Sequence, residues 1–380
     1  MVDKSTLLKV LSYIDSSEVR TPVLAINGEK VRANISLIGH NIRNCKAYYA
    51  VKANPDIGMI RLLNDTLLRD GSRCGFEISS MGELKVLMEA GVEPSRIICS
   101  NPVKTLAFLR EAVDYGVTYY SYDSATEVDK LAVYAPGCNV YVRLSIPNEG
   151  SEWPLSKKFG VEVDDAVILL EKAVQKGLNP VGVTFHVGSQ CNNIYNWNIA
   201  LDKARLVFDM AGRKGIELSF LNIGGGYPVK YTKSVLAIDT IEKHINALIA
   251  ERFGDDVSVA VEPGRAVVGD AGIMISSVTG KADRLDEKWL YIDVGVFNGL
   301  MESVGGIRYT YIVETTQHTG NKKSWVLAGP SCDSFDVIDK NVELNEPEVG
   351  DIVLVLSAGA YTISYASEFN GITIPKTVIL

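Results

Sequence analysis

The sequence is short of the features that mark several common functions. Its six cysteines, at positions 45, 74, 99, 138, 191 and 332, include no Cys-x-x-Cys pair, so neither a zinc site nor a disulfide framework is indicated. No basic run interrupts a chain of net charge −8, which argues against a nucleic-acid partner. No apolar run reaches membrane-spanning length, and the opening Met-Val-Asp-Lys-Ser-Thr lacks the charged-then-apolar pattern of a secretory signal. A Gly-x-Gly-x-x-Gly after the first strand, which an open dinucleotide-binding sheet would want, is missing too. What remains is an ordinary composition, 47% hydrophobic and 22% charged. The expectation is a cytoplasmic enzyme with reduced thiols, no metal centre and no membrane.

Read for period, the chain alternates short β-rich runs with longer helical ones. The β-rich runs are Ala47–Lys52, Arg73–Ile78, Arg96–Ser100, Val117–Tyr122, Asn139–Ile146, Val181–His186, Leu218–Ile223 and Val257–Glu262. Between them lie helix-like segments such as Gly82–Ala90, Thr105–Tyr115, Ala125–Tyr134, Val163–Lys176, Tyr195–Arg213 and Ile238–Phe253; another is expected over Leu24–Ile42. This alternation predicts an α/β fold, a (β/α)8 barrel of the TIM type over residues 21–265. Beyond it, Trp289–Asp293, Tyr309–Thr315, Ser324–Leu327 and Ile352–Leu356 are β-rich with no long helix between them. They predict a C-terminal all-β domain over residues 266–380, joined by residues 1–20, which read as a short helix or strand and a polar segment.

In such a barrel, chemistry gathers where the strands end. Here the ends read Lys52, Glu77, Asn101, Asp123, Arg143, His186, Gly224-Gly225-Gly226 and Glu262-Pro263-Gly264-Arg265. Lys52 closes an apolar, aromatic run that Asn54-Pro55 stops at once. It is either a side chain that snorkels to solvent or a desolvated amine suited to Schiff-base chemistry. The glycine run is either a plain tight turn or a cradle of amides for a phosphate, standing where such barrels bind one. His186 reads as a satisfied core histidine, or as a ring that lies on a cofactor or moves protons. Glu262 reads as the ion-pair partner of Arg265, or as the carboxylate that keeps a pyridine nitrogen protonated. The functional readings together describe a pyridoxal 5'-phosphate site.

Six motifs occur in one order: Tyr49-Ala50-Val51-Lys52-Ala53-Asn54, His186-Val187-Gly188-Ser189-Gln190, Gly224-Gly225-Gly226-Tyr227-Pro228, Glu262-Pro263-Gly264-Arg265, Gly329-Pro330-Ser331-Cys332-Asp333 and Gly359-Ala360-Tyr361-Thr362. In these the chain resembles the barrel-type (alanine-racemase-fold) pyridoxal-phosphate decarboxylases, which include ornithine, lysine and diaminopimelate decarboxylases. The resemblance implies that Lys52 carries the cofactor as an internal aldimine, that His186 stacks on its ring and that Glu262 holds the pyridinium nitrogen. It places Ser189, Gly225, Arg265 and Tyr361 on the phosphate, with Gly224, Gly226, Gly264 and Arg143 in the same cofactor site. Cys332 would control protonation of the carbanion, and Asp333 would lie near the substrate amine, with Glu302 and Tyr361 also on the substrate side. The Cys-Asp pair would reach the active site from the neighbouring subunit of a homodimer. The implied reaction is α-decarboxylation through an external aldimine and a quinonoid carbanion, releasing CO2 and an amine. A carboxylate at Glu262 favours decarboxylation over racemisation. Retention of Lys52, His186, Glu262 and Cys332 argues against a non-catalytic regulatory relative.

The substrate end is less uniform. Cys332-Asp333-Ser334 and Phe369-Asn370-Gly371 resemble the bacterial ornithine/lysine branch rather than diaminopimelate decarboxylase, and imply polyamine or secondary-metabolite biosynthesis. Where that branch carries an acid for the distal ammonium, this chain has Val304-Gly305-Gly306. Two expectations follow. Either Glu302, Asp333 or Asp336 supplies the charge for a free diamino acid, or the substrate is a larger conjugated amino-acid intermediate of a siderophore or antibiotic pathway.

Overall fold

The computed structural model describes residues 2–147, 151–153, 158–314 and 322–380. It divides into two compact units, Ile35–Pro228 with Leu236–Gly264, and the residues up to Asn34 with Val229–Val235 and Arg265–Leu380.

The first unit is a closed parallel barrel of eight strands: Cys45–Ala50, Gly75–Ile78, Ile97–Cys99, Tyr119–Tyr122, Asn139–Arg143, Asn179–Thr184, Phe220–Asn222 and Ser258–Val261. Closure is made by the last strand on the first, with Val259 opposite Cys45 and Val261 opposite Ala47. The strands are nearly continuous apolar runs because both faces are covered. Tyr48, Ile98, Tyr141, Phe220 and Ala260 pack together in one buried cluster. Close approach fixes one residue there: a Cβ on Gly182 would fall 1.7 Å from the carbonyl oxygen of Phe220 on the neighbouring strand. Most helices start on side-chain caps. Asp56, Ser80, Thr105 and Ser124 each accept from backbone N–H groups of the first turn that follows them. All eight expected strands are present, and six of the seven expected helices end within two residues of the anticipated bounds. One helix, Ile57–Asp65, was not expected.

The second unit is an eight-stranded sheet of Val23–Ile26, Gly272–Arg284, Glu287–Ile292, Thr310–Glu314, Lys323–Ala328, Val337–Leu344, Ile352–Leu356 and Lys376–Ile379. Its pairings are antiparallel except Val23–Ile26 with Lys376–Ile379 and Glu287–Ile292 with Lys323–Ala328. Helix Lys4–Ser16 starts at Asp3, whose carboxylate accepts from Thr6 N at 2.8 Å, and Val10 joins the core of Ala25, Ile273, Ile275, Leu354 and Leu356.

Several expectations need correction. Only Gly28–Leu37 of Leu24–Ile42 is helical, because Val23–Ile26 is a strand held between Gly272–Ile275 and Lys376–Ile379. All four of its residues are buried, and such a run carries no period that separates strand from helix. Residues 21–34, expected at the start of the barrel, therefore belong to the sheet unit, as do Val229–Val235 and Arg265. Gly272–Arg284 was not anticipated as a strand. Its first five residues are buried and a register shift at Gly280 breaks the alternation. Thr315, the expected end of one run, lies outside the described residues.

Candidate active site

Lys52 does not end the first barrel strand. The strand stops at Ala50, and Lys52 stands in a 3-10 turn, Val51–Ala53, between two buried neighbours. Tyr49 Oη donates to the Asn54 carbonyl at 3.1 Å, and Ala50 N donates to the Pro263 carbonyl at 2.9 Å, tying the turn to the loop after the last strand. The lysine is half-exposed, and its Nζ meets Glu77 Oε2 at 2.6 Å, a carboxylate almost wholly buried. Ser79 Oγ donates to the other oxygen of Glu77 at 3.1 Å, and Ser79 N donates to Glu83 at 2.5 Å. Burial, then the charge of Glu77, pushes the Glu83 carboxyl up to about 7.

His186 follows the sixth strand. Its Nδ1 accepts from Gly188 N at 2.9 Å, so a neutral ring carries its proton on Nε2. Burial, with Arg143 and Lys52 nearby, pushes the ring down to about 3, and it stays neutral across the physiological range. Glu262 follows the eighth strand, 7% exposed. Its Oε1 accepts from Ser100 Oγ and, at 2.6 Å, from Asn222 Nδ2. Burial raises its pKa and Glu77 raises it further; Lys52, Ser100 and Asn222 act in the opposite direction.

One cavity of about 520 Å³ collects these groups. Lys52, Glu77, Arg143, His186 and Glu262 line it, with Ser79, Ser100, Asn101, Pro102, Lys158, Phe159, Thr184 and Phe185. The Arg143 guanidinium lies 5.2 Å from the centre of the Phe159 ring. The glycine run borders the same groups: a Cβ on Gly225 would come 2.4 Å from the Glu262 carbonyl and 3.6 Å from His186 Nε2. Gly224 and Gly226 adopt φ of +66° and +99°, which favours glycine. Ser189 is half-buried in the short strand Ser189–Cys191, and Gly264 is buried directly after the eighth strand.

The remaining predicted residues lie in the sheet unit. Arg265 and Glu302 form a buried bidentate pair, both contacts 2.6 Å, and Arg265 also donates to Tyr231 Oη at 2.7 Å. The guanidinium carbon sits 4.8 Å from the Tyr361 ring centre. Glu302 is thus committed to Arg265, which removes it as a partner for a substrate ammonium. Asp336 is removed as well: it is buried and accepts from Val296 N at 2.7 Å and Ser331 N at 3.0 Å. Asp333 and Cys332 are exposed on one loop, where Cys332 Sγ donates to Asn370 Oδ1 at 3.3 Å. Ser100, Asn222 and Glu83 escaped the sequence reading, and Glu77 was seen only as a strand end. The available signal was position: Ser100 precedes the Asn101-Pro102 breaker, and Asn222 stands two residues before the glycine run.

These residues fit a pyridoxal phosphate: an amine, a neutral imidazole and a buried carboxylate share a cavity of ligand size, bordered by glycines whose backbone a side chain would displace. No helix among the described residues is long and apolar enough to cross a membrane, and no cluster there offers a metal site. The family described as "Pyridoxal-dependent decarboxylase, pyridoxal binding domain" matches residues 28–269. Lysine/ornithine decarboxylase of Selenomonas ruminantium is 35% identical over 96% of this chain and 91% of its own length. A crystal structure of lysine/ornithine decarboxylase from Vibrio vulnificus complexed with cadaverine superposes with TM-score 0.88 and 30% identity over 100% of both chains. The arginine decarboxylase of Paramecium bursaria Chlorella virus gives TM-score 0.90 and 28% identity, covering 98% of this chain and 100% of that one. With residues and relatives in agreement, the chain belongs to the pyridoxal-dependent decarboxylases, enzymes that use pyridoxal 5'-phosphate to remove an amino-acid carboxylate as CO2.

Proposed function

We propose that the substrate is a free basic amino acid of the lysine–ornithine class, converted to CO2 and the corresponding amine. The observation that carries the reading is the shared cavity wall of Lys52, Glu77, His186 and Glu262. The alternative of a larger conjugated substrate is not favoured, because the relatives are named for lysine, ornithine and arginine. With Glu302 and Asp336 occupied elsewhere, Asp333 is the remaining acid of the three for the substrate amine.

When bound, the cofactor's protonated ring supplies a sink for the electron pair left on the α-carbon as CO2 departs. Lys52 would hold it covalently as the neutral amine, and Glu77, 2.6 Å from that nitrogen, would position the side chain and accept the proton its ammonium gives up. His186 would lie neutral against the ring, and Glu262 would hold the ring nitrogen's proton. In the barrel unit Ser189, the run Gly224–Gly226 and Gly264 would take the phosphate, and Arg143 lines the cavity with Lys52 and His186; the family resemblance adds Arg265 and Tyr361 to the phosphate ligands. Cys332 would return a proton to the α-carbon.

In this reading Cys332 and Asp333 serve the site of a neighbouring copy, so the working form is a homodimer. Their exposure supports it, as does the aromatic group beside them: Phe335 and Phe369 are 54% and 39% exposed and flank Phe297 at 6.1 and 4.5 Å. Sedimentation of the holoenzyme as a single-chain species would remove the shared-site arrangement. A cytoplasmic location and a place in polyamine supply complete the reading.

The test of substrate class is CO2 release from L-lysine, L-ornithine and L-arginine by the cofactor-loaded protein. At least one should be turned over with kcat/KM of about 10⁴ M⁻¹s⁻¹ or more. Turnover of none of the three would discard the free basic amino acid.

A further inference from the structure

The surroundings of Glu262 determine which of its oxygens is available. With the carboxylate ionised it only accepts, so the single hydroxyl proton of Ser100 is committed to Oε1. Ser100 Oγ then accepts from Tyr141 Oη, 2.8 Å away, and a directed relay runs from Tyr141 through Ser100 to Glu262. Asn222 donates to the same oxygen at 2.6 Å. Its amide cannot flip without loss, because Oδ1 accepts from Gly224 N at 2.9 Å, leaving Nδ2 to face the carboxylate. One asparagine therefore holds both the glycine run and the acid. No hydrogen bond to Oε2 occurs among the described residues.

We propose that Ser100, Tyr141 and Asn222 are positioning residues that keep Glu262 ionised and turned so that Oε2 alone receives the ring N–H of the cofactor. The donors are neutral, so they stabilise the anion without cancelling its charge. A cation at the same place would leave the ring nitrogen a weaker partner. The proposal rests on the reading of Glu262 as the partner of the ring nitrogen.

The test compares affinities of the apoenzyme for pyridoxal 5'-phosphate and for its 1-deaza analogue, in which a C–H replaces the ring nitrogen. The wild-type protein should prefer the natural cofactor, and Glu262→Gln should remove most of that preference. Ser100→Ala and Asn222→Leu should each reduce it by about tenfold, and Tyr141→Phe by about threefold, as expected for loss of one hydrogen bond to a charged or a neutral group. The ¹⁵N resonance of the bound ring should move toward its unprotonated position in the Ser100→Ala protein. Equal weakening of both ligands, with the ratio and the resonance unchanged, would overturn the seat and leave these residues structural. A ratio unmoved by Glu262→Gln itself would overturn the ring-nitrogen reading, and the seat with it.

Discussion

Glu262 in the barrel unit and Glu302 in the sheet unit are both buried carboxylates, 7% and 3% exposed. They are held in opposite ways. Glu302 faces a guanidinium that contacts both its oxygens, so its charge is neutralised on the spot. Glu262 is held through one oxygen by a hydroxyl and an amide, and its charge is left standing at a cavity wall. The ion pair leaves Glu302 no uncompensated charge for a substrate ammonium. A carboxylate seated on neutral donors keeps a field that a cationic ring nitrogen completes.

If this contrast is right, substitutions at the two positions should separate stability from chemistry. The largest effect is expected for Glu302→Leu, which leaves the Arg265 guanidinium buried without its counter-charge. The cost should be about 3–5 kcal/mol, read from denaturant unfolding of the apoenzyme. Glu262→Gln should instead lower kcat/KM for CO2 release by about 10²–10³, with the unfolding midpoint little changed. A Glu262→Gln protein that unfolds early but works normally once folded would erase the distinction.

The cavity electrostatics give a smaller, pH-dependent pair. His186 is depressed to about 3 against its ordinary 6.5, so between those values the unfolded chain takes a proton that the native one refuses. Its contribution to stability is lost as pH falls through that window. Glu83 is raised to about 7 against an ordinary 4.5, so its contribution is present at low pH and lost as pH rises through 7. Relative to the wild type, His186→Asn should gain stability toward acid, and Glu83→Gln should gain it toward pH 8. Each difference should be on the order of 1 kcal/mol in pH-resolved unfolding. Parallel curves for variant and wild type would show that the groups titrate normally.

The barrel was legible because its signals repeat. Each strand is a short apolar run with a chemically distinctive residue at its end or within a few positions after it, and helices intervene. The sheet unit was read less completely. Val23–Ile26 is buried on both faces, Gly272–Arg284 is bent by a register shift, and Lys376–Ile379 pairs with a strand more than 340 positions earlier, so no local pattern marks any of them. Within the site, residues whose type announces chemistry, such as Lys52 and Glu262, could be named from sequence. Ser100, Asn222 and Tyr141 could not. Their importance is a matter of which atom they face, and serine, asparagine and tyrosine in or beside barrel strands are commonplace. Glu302 shows the converse, since an acid in a suggestive loop proved to be the buried mate of Arg265.

The proposed decarboxylation depends on the amine of Lys52. The most direct measurement is CO2 release from the preferred basic amino acid, together with the visible absorbance of lysine-bound cofactor, in the wild-type and Lys52→Ala proteins. The wild type should be yellow and active at about 10⁴ M⁻¹s⁻¹ or above, and the variant should lose the lysine-bound absorbance and at least three orders of magnitude in rate, about 4 kcal/mol. A Lys52→Ala protein that keeps the absorbance and releases CO2 at the wild-type rate would contradict the account.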